Sequence, residues 1–354
     1  MRTESEIIGR ISRGLADRGA SKYKANAVRL GIGDDAAVLR GSFLSRGGRN
    51  ADDLVLSCDA FLENIHFLAN VHSADAIGYK ALARTTSDLA AMGAVPRFFM
   101  LSLALPANRT GAWLDSLIKG VARAAREFGM VLIGGDTSQN PTVVMNITVG
   151  GEVADGHGLT RSGAYRGDGI YVSGTLGAAQ LGLELILRGL HRNAQWKGML
   201  NQHLRPKIQL KLGHWLAGEG RQRAIASAAT DTSDGLSTDL THICQSSRVN
   251  ARIYAAQIPV VKVPKQLQRL GLDSLDLALH GGEDYQLVFT VPTAQASRMR
   301  RVYRGVPITR IGEIVPAKKS GRQKGRGGSS IELVDAAGKS APLTPRGWDH
   351  FKRS

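Results

Sequence analysis

Leu30-Gly31-Ile32-Gly33-Asp34-Asp35-Ala36-Ala37-Val38 sets two adjacent carboxylates just past two glycines and just before an apolar run. Glycine lets a backbone turn tightly and approach a bulky ligand. Adjacent aspartates in such a turn repel each other unless a cation lies between them, and hard carboxylate oxygens suit Mg²⁺. Alone, the stretch reads as well as a surface turn carrying two solvated acids. The same chemistry recurs downstream, however. Asp59 ends the apolar run Leu54-Val55-Leu56-Ser57-Cys58, and Asp136 follows Leu132-Ile133-Gly134-Gly135. Asp231 and Asp234 bracket Thr232-Ser233, and Glu283 and Asp284 follow Gly281-Gly282. Loops at strand ends are where α/β sheets bind ligands. Acids gathered there are costly to hold together without metal, whereas with two or more Mg²⁺ ions they form a grip for a polyphosphate.

Outward from this stretch, residues 1–25 read as a helix with a basic end, and 41–50 as a Gly/Arg/Ser loop. Residues 54–59 read as a buried strand. Ala74 to Met92 is Ala- and Leu-rich and predicts a helix. Lys80, Arg84 and Asp88 are spaced four apart and share one side of it, so Lys80 and Arg84, together with Arg161, are candidates for phosphate oxygens. Strands are expected at 98–105, 130–133 and 143–149, with a helix at 113–128. The turn Asp155-Gly156-His157-Gly158 marks a boundary between domains 1–155 and 156–354. The second half predicts strands at 169–174, 251–258, 284–291, 308–315 and 330–334, and helices at 180–190, 208–217 and 236–246. Strands and helices mix in both halves, so the fold class is α/β plus α+β.

The 354 residues, 43% apolar and 21% charged, have globular composition. Two cysteines, Cys58 and Cys244, form neither a disulfide framework nor a four-Cys zinc site. The expectation is a reducing, cytoplasmic location, with no membrane span and no signal-like apolar segment near Met1. The formal charge of +16 suits either nucleic acid or a field that draws in polyphosphates. Aromatics are only 5%, and no recognisable module interleaves with the basic run 317–330, so nucleic acid is not the expected partner. The G-x-x-x-x-G-K-[ST] loop, the protein-kinase signatures, H-E-x-x-H and G-x-S-x-G are all missing.

Taken in order, these segments resemble the thiamine-monophosphate kinases of the aminoimidazole-ribonucleotide synthetase-like superfamily. The resemblance rests on Gly31-Ile32-Gly33-Asp34-Asp35, Ser57-Cys58-Asp59 with His66-Phe67, and Lys80-Ala81-Leu82-Ala83 with Ser87-Asp88-Leu89-Ala90-Ala91-Met92-Gly93. It continues through Gly134-Gly135-Asp136-Thr137, Leu159-Thr160-Arg161-Ser162-Gly163 and Asp231-Thr232-Ser233-Asp234-Gly235. It closes with Gly281-Gly282-Glu283-Asp284-Tyr285 and Gly347-Trp348-Asp349-His350-Phe351. It implies ATP-dependent phosphorylation of thiamine monophosphate to thiamine diphosphate, by a two-domain protein dimerising through its N-terminal sheets. By the family pattern Asp35, Asp59, Asp88, Asp136, Asp231 and Asp234 ligate several Mg²⁺ ions, with oxygens from Ser57 and position 58. Asp136 and Asp59 stand closest to the reaction. Gly135, Asp136, Arg161 and Ser233 contact ATP, and His66, Glu283 and Trp348 meet thiamine monophosphate. The chain departs from the pattern at Cys58, where a hydroxyl residue is usual, and at Thr232, where an apolar residue is frequent. The insertions 41–50 and 317–330 lie outside the motifs. Selenophosphate synthetases and aminoimidazole-ribonucleotide synthetases are the alternatives within the superfamily. The first carry a reactive Cys in an N-terminal segment, and residues 1–30 here contain none. The second lack the His66-Phe67 and terminal Gly-Trp elements.

Overall fold

Along Asp53–Leu62 the side chains alternate, with Asp53, Val55 and Phe61 buried while Cys58 and Ala60 face outward. That period-two pattern makes a strand with one covered face. In the computed structural model, which describes residues 4–15, 27–44, 51–219, 222–316 and 330–348, this strand (β3) belongs to a six-stranded sheet. Its other members are β1 (Val28–Leu30), β2 (Ala37–Leu39), β4 (Val95–Leu105), β5 (Val131–Gln139) and β6 (Val144–Val153), in the order β1-β2-β3-β6-β4-β5. All pairings are antiparallel except β4 with β5.

The helix Ala74–Ala91, capped by the Ser73 hydroxyl accepting from the Ala76 amide, packs on one face of this sheet. It crosses the helix Ala112–Phe128 where both backbones are bare. A Cβ on Gly78 would lie 2.2 Å from the Leu117 carbonyl oxygen, and one on Gly120 2.0 Å from that of Asp75. Leu82, Leu89, Leu117, Ile147 and Val149 fill the resulting core. The opposite face and the β5 edge expose Met100, Val131, Leu132 and Ile133.

The second sheet takes β7 (Gly169–Ser173), β8 (Ala228–Asp231), β9 (Asn250–Tyr254), β10 (Leu287–Val291), β11 (Val302–Tyr303), β12 (Val306–Val315), β13 (Ile331–Val334) and β14 (Ser340–Leu343). Its order is β14-β13-β9-β12-β7-β10-β8, with β11 paired to β12. The helix Leu236–Ser247 buries Leu240, Ile243 and Cys244 with this sheet's apolar side chains. The two halves meet through the Ala74–Ala91 helix. Its Ala90 and Ala91 share a cluster with Leu212 and Leu216 of the helix Leu210–Leu216 and with Leu287 and Phe289 of β10. Among the described residues no helix is long and apolar enough to cross a membrane.

Four sequence expectations need correction, the first being the loop expected at 41–50, whose Gly41–Leu44 forms one short helical turn. The strand expected at 130–133 runs on to Gln139, straight through Gly134-Gly135-Asp136. A Cβ at Gly135 would lie 1.8 Å from the Leu101 carbonyl oxygen, so glycine here permits close pairing with β4 rather than a turn. The strand expected from Asp284 begins at Leu287, because Glu283 and Tyr285 hold left-handed φ values of 66° and 48°. The strand expected to reach Ile258 stops at Tyr254, followed by one tight turn at Ala255–Gln257. Residues 16–25 of the first expected helix, 45–50 and 317–329 of the insertions, and Asp349-His350-Phe351 lie outside the described residues.

Candidate active site

The opening stretch forms the loop of the β1–β2 hairpin. Asp34 Oδ1 accepts from the Asp35 amide at 3.0 Å, and both Asp34 oxygens accept from the Arg161 amide at 3.1 Å. This ties the hairpin to the start of the second half. Asp35 Oδ1 accepts from Arg161 Nε (3.0 Å) and Nη2 (2.5 Å) and from the Thr230 hydroxyl (2.9 Å). Its other oxygen, Oδ2, is buried and accepts from no group among the described residues. A buried carboxylate oxygen left open is costly, and it is the atom a cation would satisfy.

Two more carboxylates converge on it. Asp88, on the last turn of the Ala74–Ala91 helix, accepts from the Ser57 hydroxyl of β3. Asp231, at the end of β8, accepts from the Ser87 hydroxyl at 2.5 Å. One ligand atom from each of Asp35, Asp88 and Asp231 lies within 4.8 Å of the others. A hairpin loop, a helix and a strand end from both halves thus meet in one oxygen cluster. Its electrostatics show a deficit of positive charge. Burial, and then Asp59, Asp231 and Asp35, push Asp88 well above the usual carboxylate range. Burial and then Asp35 push Asp231 up to about 7 and Asp34 up to about 6. Hard oxygens, an open buried lone pair and mutual repulsion fit Mg²⁺.

Around the cluster, Asp59 on β3 faces Arg84, whose Nε lies 3.6 Å away and whose guanidinium sits 5.6 Å from the Phe61 ring. His66 Nδ1 accepts from the Leu62 amide at 3.0 Å and its ring stacks on Phe61. The Ser233 carbonyl accepts from the Glu283 amide at 2.8 Å, which sets the 231–234 and 281–285 turns side by side. The Gly347 amide donates to Thr238 Oγ1 at 3.2 Å, which brings Trp348, 58% exposed, to the same region.

Other expected residues sit differently. Gly135 and Asp136 lie exposed on the edge strand β5, outside the three-carboxylate group. The Cys58 thiol points to the opposite face of β3 from Ser57 and Asp59, where it meets Asn146 Oδ1 (3.0 Å) and the Thr148 hydroxyl (3.3 Å). Lys80 is buried and bonded to Glu283 at 2.7 Å rather than open to a phosphate. Asp284 is a structural cap, accepting from the amides of Gly177 (2.5 Å) and Ala179 (2.9 Å) at the start of the helix Ala178–Leu187; burial pushes it up to about 7. Asp234 forms a further group with Asp239 and His242, again with ligand atoms within 4.8 Å. Burial first, then Glu4, push Asp234 up to about 6, and burial pushes His242 down to about 4. Asp239 and His242 are one helical turn apart, a spacing that could have flagged them.

The model of the AIR synthase related protein N-terminal domain matches residues 33–153, and that of the corresponding C-terminal domain matches 166–324. The thiamine-monophosphate kinase of Escherichia coli (strain K12) is 37% identical over 338 residues, 92% of each chain. That of Bacillus subtilis (strain 168) is 31% identical over 333 residues, 92% of this chain and 95% of its own. A solved structure described as "AaThiL complexed with AMPPCP and TMP" superposes with a TM-score of 0.78 at 28% identity, covering 99% of both chains. The chain therefore belongs to the thiamine-monophosphate kinase family, within the AIR synthase related proteins.

Proposed function

We propose that this protein transfers the γ-phosphoryl group of ATP to the phosphate of thiamine monophosphate, giving thiamine diphosphate and ADP. The observation that carries the reading is the convergence of Asp35, Asp88 and Asp231 from three elements of both halves, in a chain alike over nine-tenths of its length to enzymes bearing that name. The acceptor is a phosphate oxygen, already anionic, so the reaction needs no strong general base. It needs two anions brought together in line. Mg²⁺, bound by Asp35, Asp88 and Asp231 with Asp59, Asp136, Asp234 and Ser57, supplies charge neutralisation on the phosphate oxygens. At position 58 strand alternation leaves the backbone carbonyl, not the thiol, as the atom on offer.

Arg161, already committed to Asp35, orients that carboxylate and presents its remaining donors to the nucleotide beside Gly135, Asp136 and Ser233. His66, Glu283 and Trp348 receive the thiamine half, Trp348 offering an aromatic face to its cationic ring. Two copies pair through the exposed face and β5 edge of the first sheet. This covers Val131, Leu132 and Ile133, an exposed apolar edge of the kind monomers avoid; sedimentation at twice 37.8 kDa supports it, and a monomer at micromolar concentration refutes it. The location that suits these substrates is the cytoplasm.

The test is product analysis by chromatography after incubation with ATP, Mg²⁺ and thiamine monophosphate. Formation of thiamine diphosphate, abolished by a chelator, supports the reading. Folded protein that binds Mg-ATP yet makes no product rejects the acceptor.

A further inference from the structure

Lys80 lies on the site-facing side of its helix, yet its side chain is only 2% exposed and its ammonium donates to Glu283 Oε2 at 2.7 Å. It also reaches His203 Nδ1 at 3.5 Å. The same Nδ1 lies 3.4 Å from Glu283 Oε2, so the lysine and the histidine both flank the carboxylate. His203 Nε2 in turn faces His72 Nε2 at 3.1 Å, so one ring donates to the other. His72 Nδ1 lies 3.0 Å from both the amide nitrogen and the carbonyl oxygen of Leu68. Burial first, and then the Lys80 charge, hold His203 well below its ordinary range; burial likewise lowers His72. A continuous chain of contacts thus runs from Glu283 through Lys80 and His203 to His72 and Leu68.

At the other end Glu283 is held from both sides. Its backbone is left-handed at φ 66°, a conformation rare in non-glycine residues and typical of functional sites. Its amide is fixed to Ser233, and its side chain keeps 24% exposure toward solvent. Drawing Lys80 away to a phosphate would leave a part-buried carboxylate without its cation.

We propose that Lys80 and His203, backed by His72, are positioning residues that aim the Glu283 carboxylate at the thiamine half of the substrate and take no part in nucleotide binding. This rests on the function proposed above, in which Glu283 meets thiamine monophosphate.

The test is calorimetric binding of thiamine monophosphate and, separately, of Mg-AMPPCP, with steady-state kinetics, for wild type, Lys80→Met, His203→Asn, Glu283→Gln and the Lys80→Met/Glu283→Gln pair. The expected result is a fall of about 10-fold in thiamine monophosphate affinity with a matching rise in its KM for each single variant, and with nucleotide affinity and kcat within about threefold. The double variant should resemble Glu283→Gln alone, because partners in one network are not additive. Equal losses for both ligands, or effects that multiply in the double variant, overturn the proposal. Should Lys80→Met fail to fold, the double variant and His203→Asn carry the comparison, since neither leaves a buried charge unpaired. Wild-type protein that binds thiamine monophosphate but does not phosphorylate it rejects the function while the binding comparison still decides the positioning role. Wild-type protein that does not bind it overturns both.

Discussion

Cys58 sits between two proposed ligands, Ser57 and Asp59, and its thiol is bonded on the far side of β3 to Asn146 and Thr148. Cys58→Ser should therefore leave turnover within about twofold of wild type and its Mg²⁺ dependence unchanged, since serine keeps the same polar contacts. A tenfold change in the Mg²⁺ requirement would return the side chain to the site. Strand alternation alone separates residue 58 from 57 and 59, so this much was readable from the sequence. Asp35, Asp88 and Asp231 were likewise readable as acids at the ends of elements. Lys80 was not, because helical spacing gives a face but not a depth. Whether a lysine on the site side reaches phosphate or is sealed against Glu283 depends on His203, more than a hundred residues away. The three carboxyls Asp34, Asp231 and Asp284 look alike in sequence, yet two belong to the oxygen cluster and its hairpin while Asp284 caps a helix.

The Ala74–Ala91 helix carries Lys80, Arg84 and Asp88, and its position depends on backbone contact with the helix Ala112–Phe128. Gly120→Ala would place a methyl group 2.0 Å from the Asp75 carbonyl, so the helices must separate. The expected cost is about 1–3 kcal/mol of stability, read as a lower midpoint in urea with little change in m. An unchanged midpoint would show that the helices are not held this closely. Most helices were legible from composition and periodicity. The glycines were harder, because a glycine pair looks the same whether it serves a turn or a close approach. Gly134-Gly135 reads locally as punctuation, but its partner, the Leu101 carbonyl on β4, is set by tertiary pairing. The left-handed backbone at Glu283 and Tyr285 had no local signal either, since neither residue type favours it.

Across the whole molecule, buried acids outnumber their cationic partners at the site, and this fixes how stability should vary with pH. Asp34, Asp231, Asp234 and Asp284 are raised to about 6 or 7 from 3.8. A carboxyl with a higher pKa in the fold than in the unfolded chain binds more protons when folded between those values, so its contribution falls as pH rises. In chelator, thermal midpoints should therefore drop from pH 6.5 to pH 8; below that range His203, His72 and His242, lowered by burial from 6.5, oppose the trend. Added Mg²⁺ should restore more at pH 8 than at pH 5, because the metal takes ionised carboxylates. A midpoint that rises from pH 6.5 to pH 8 in chelator would contradict this electrostatic picture. The two-sheet architecture and the motif order were legible in the sequence, while the convergence of one hairpin, one helix and one strand end on a 4.8 Å cluster required the fold. The most direct measurement is thiamine diphosphate formation across a Mg²⁺ titration, for wild type and Asp88→Asn side by side. The account predicts product from wild type that rises with Mg²⁺, and at least about a 100-fold loss in a variant that still melts cooperatively. Wild-type turnover in Asp88→Asn, or product made in the presence of chelator, would contradict it.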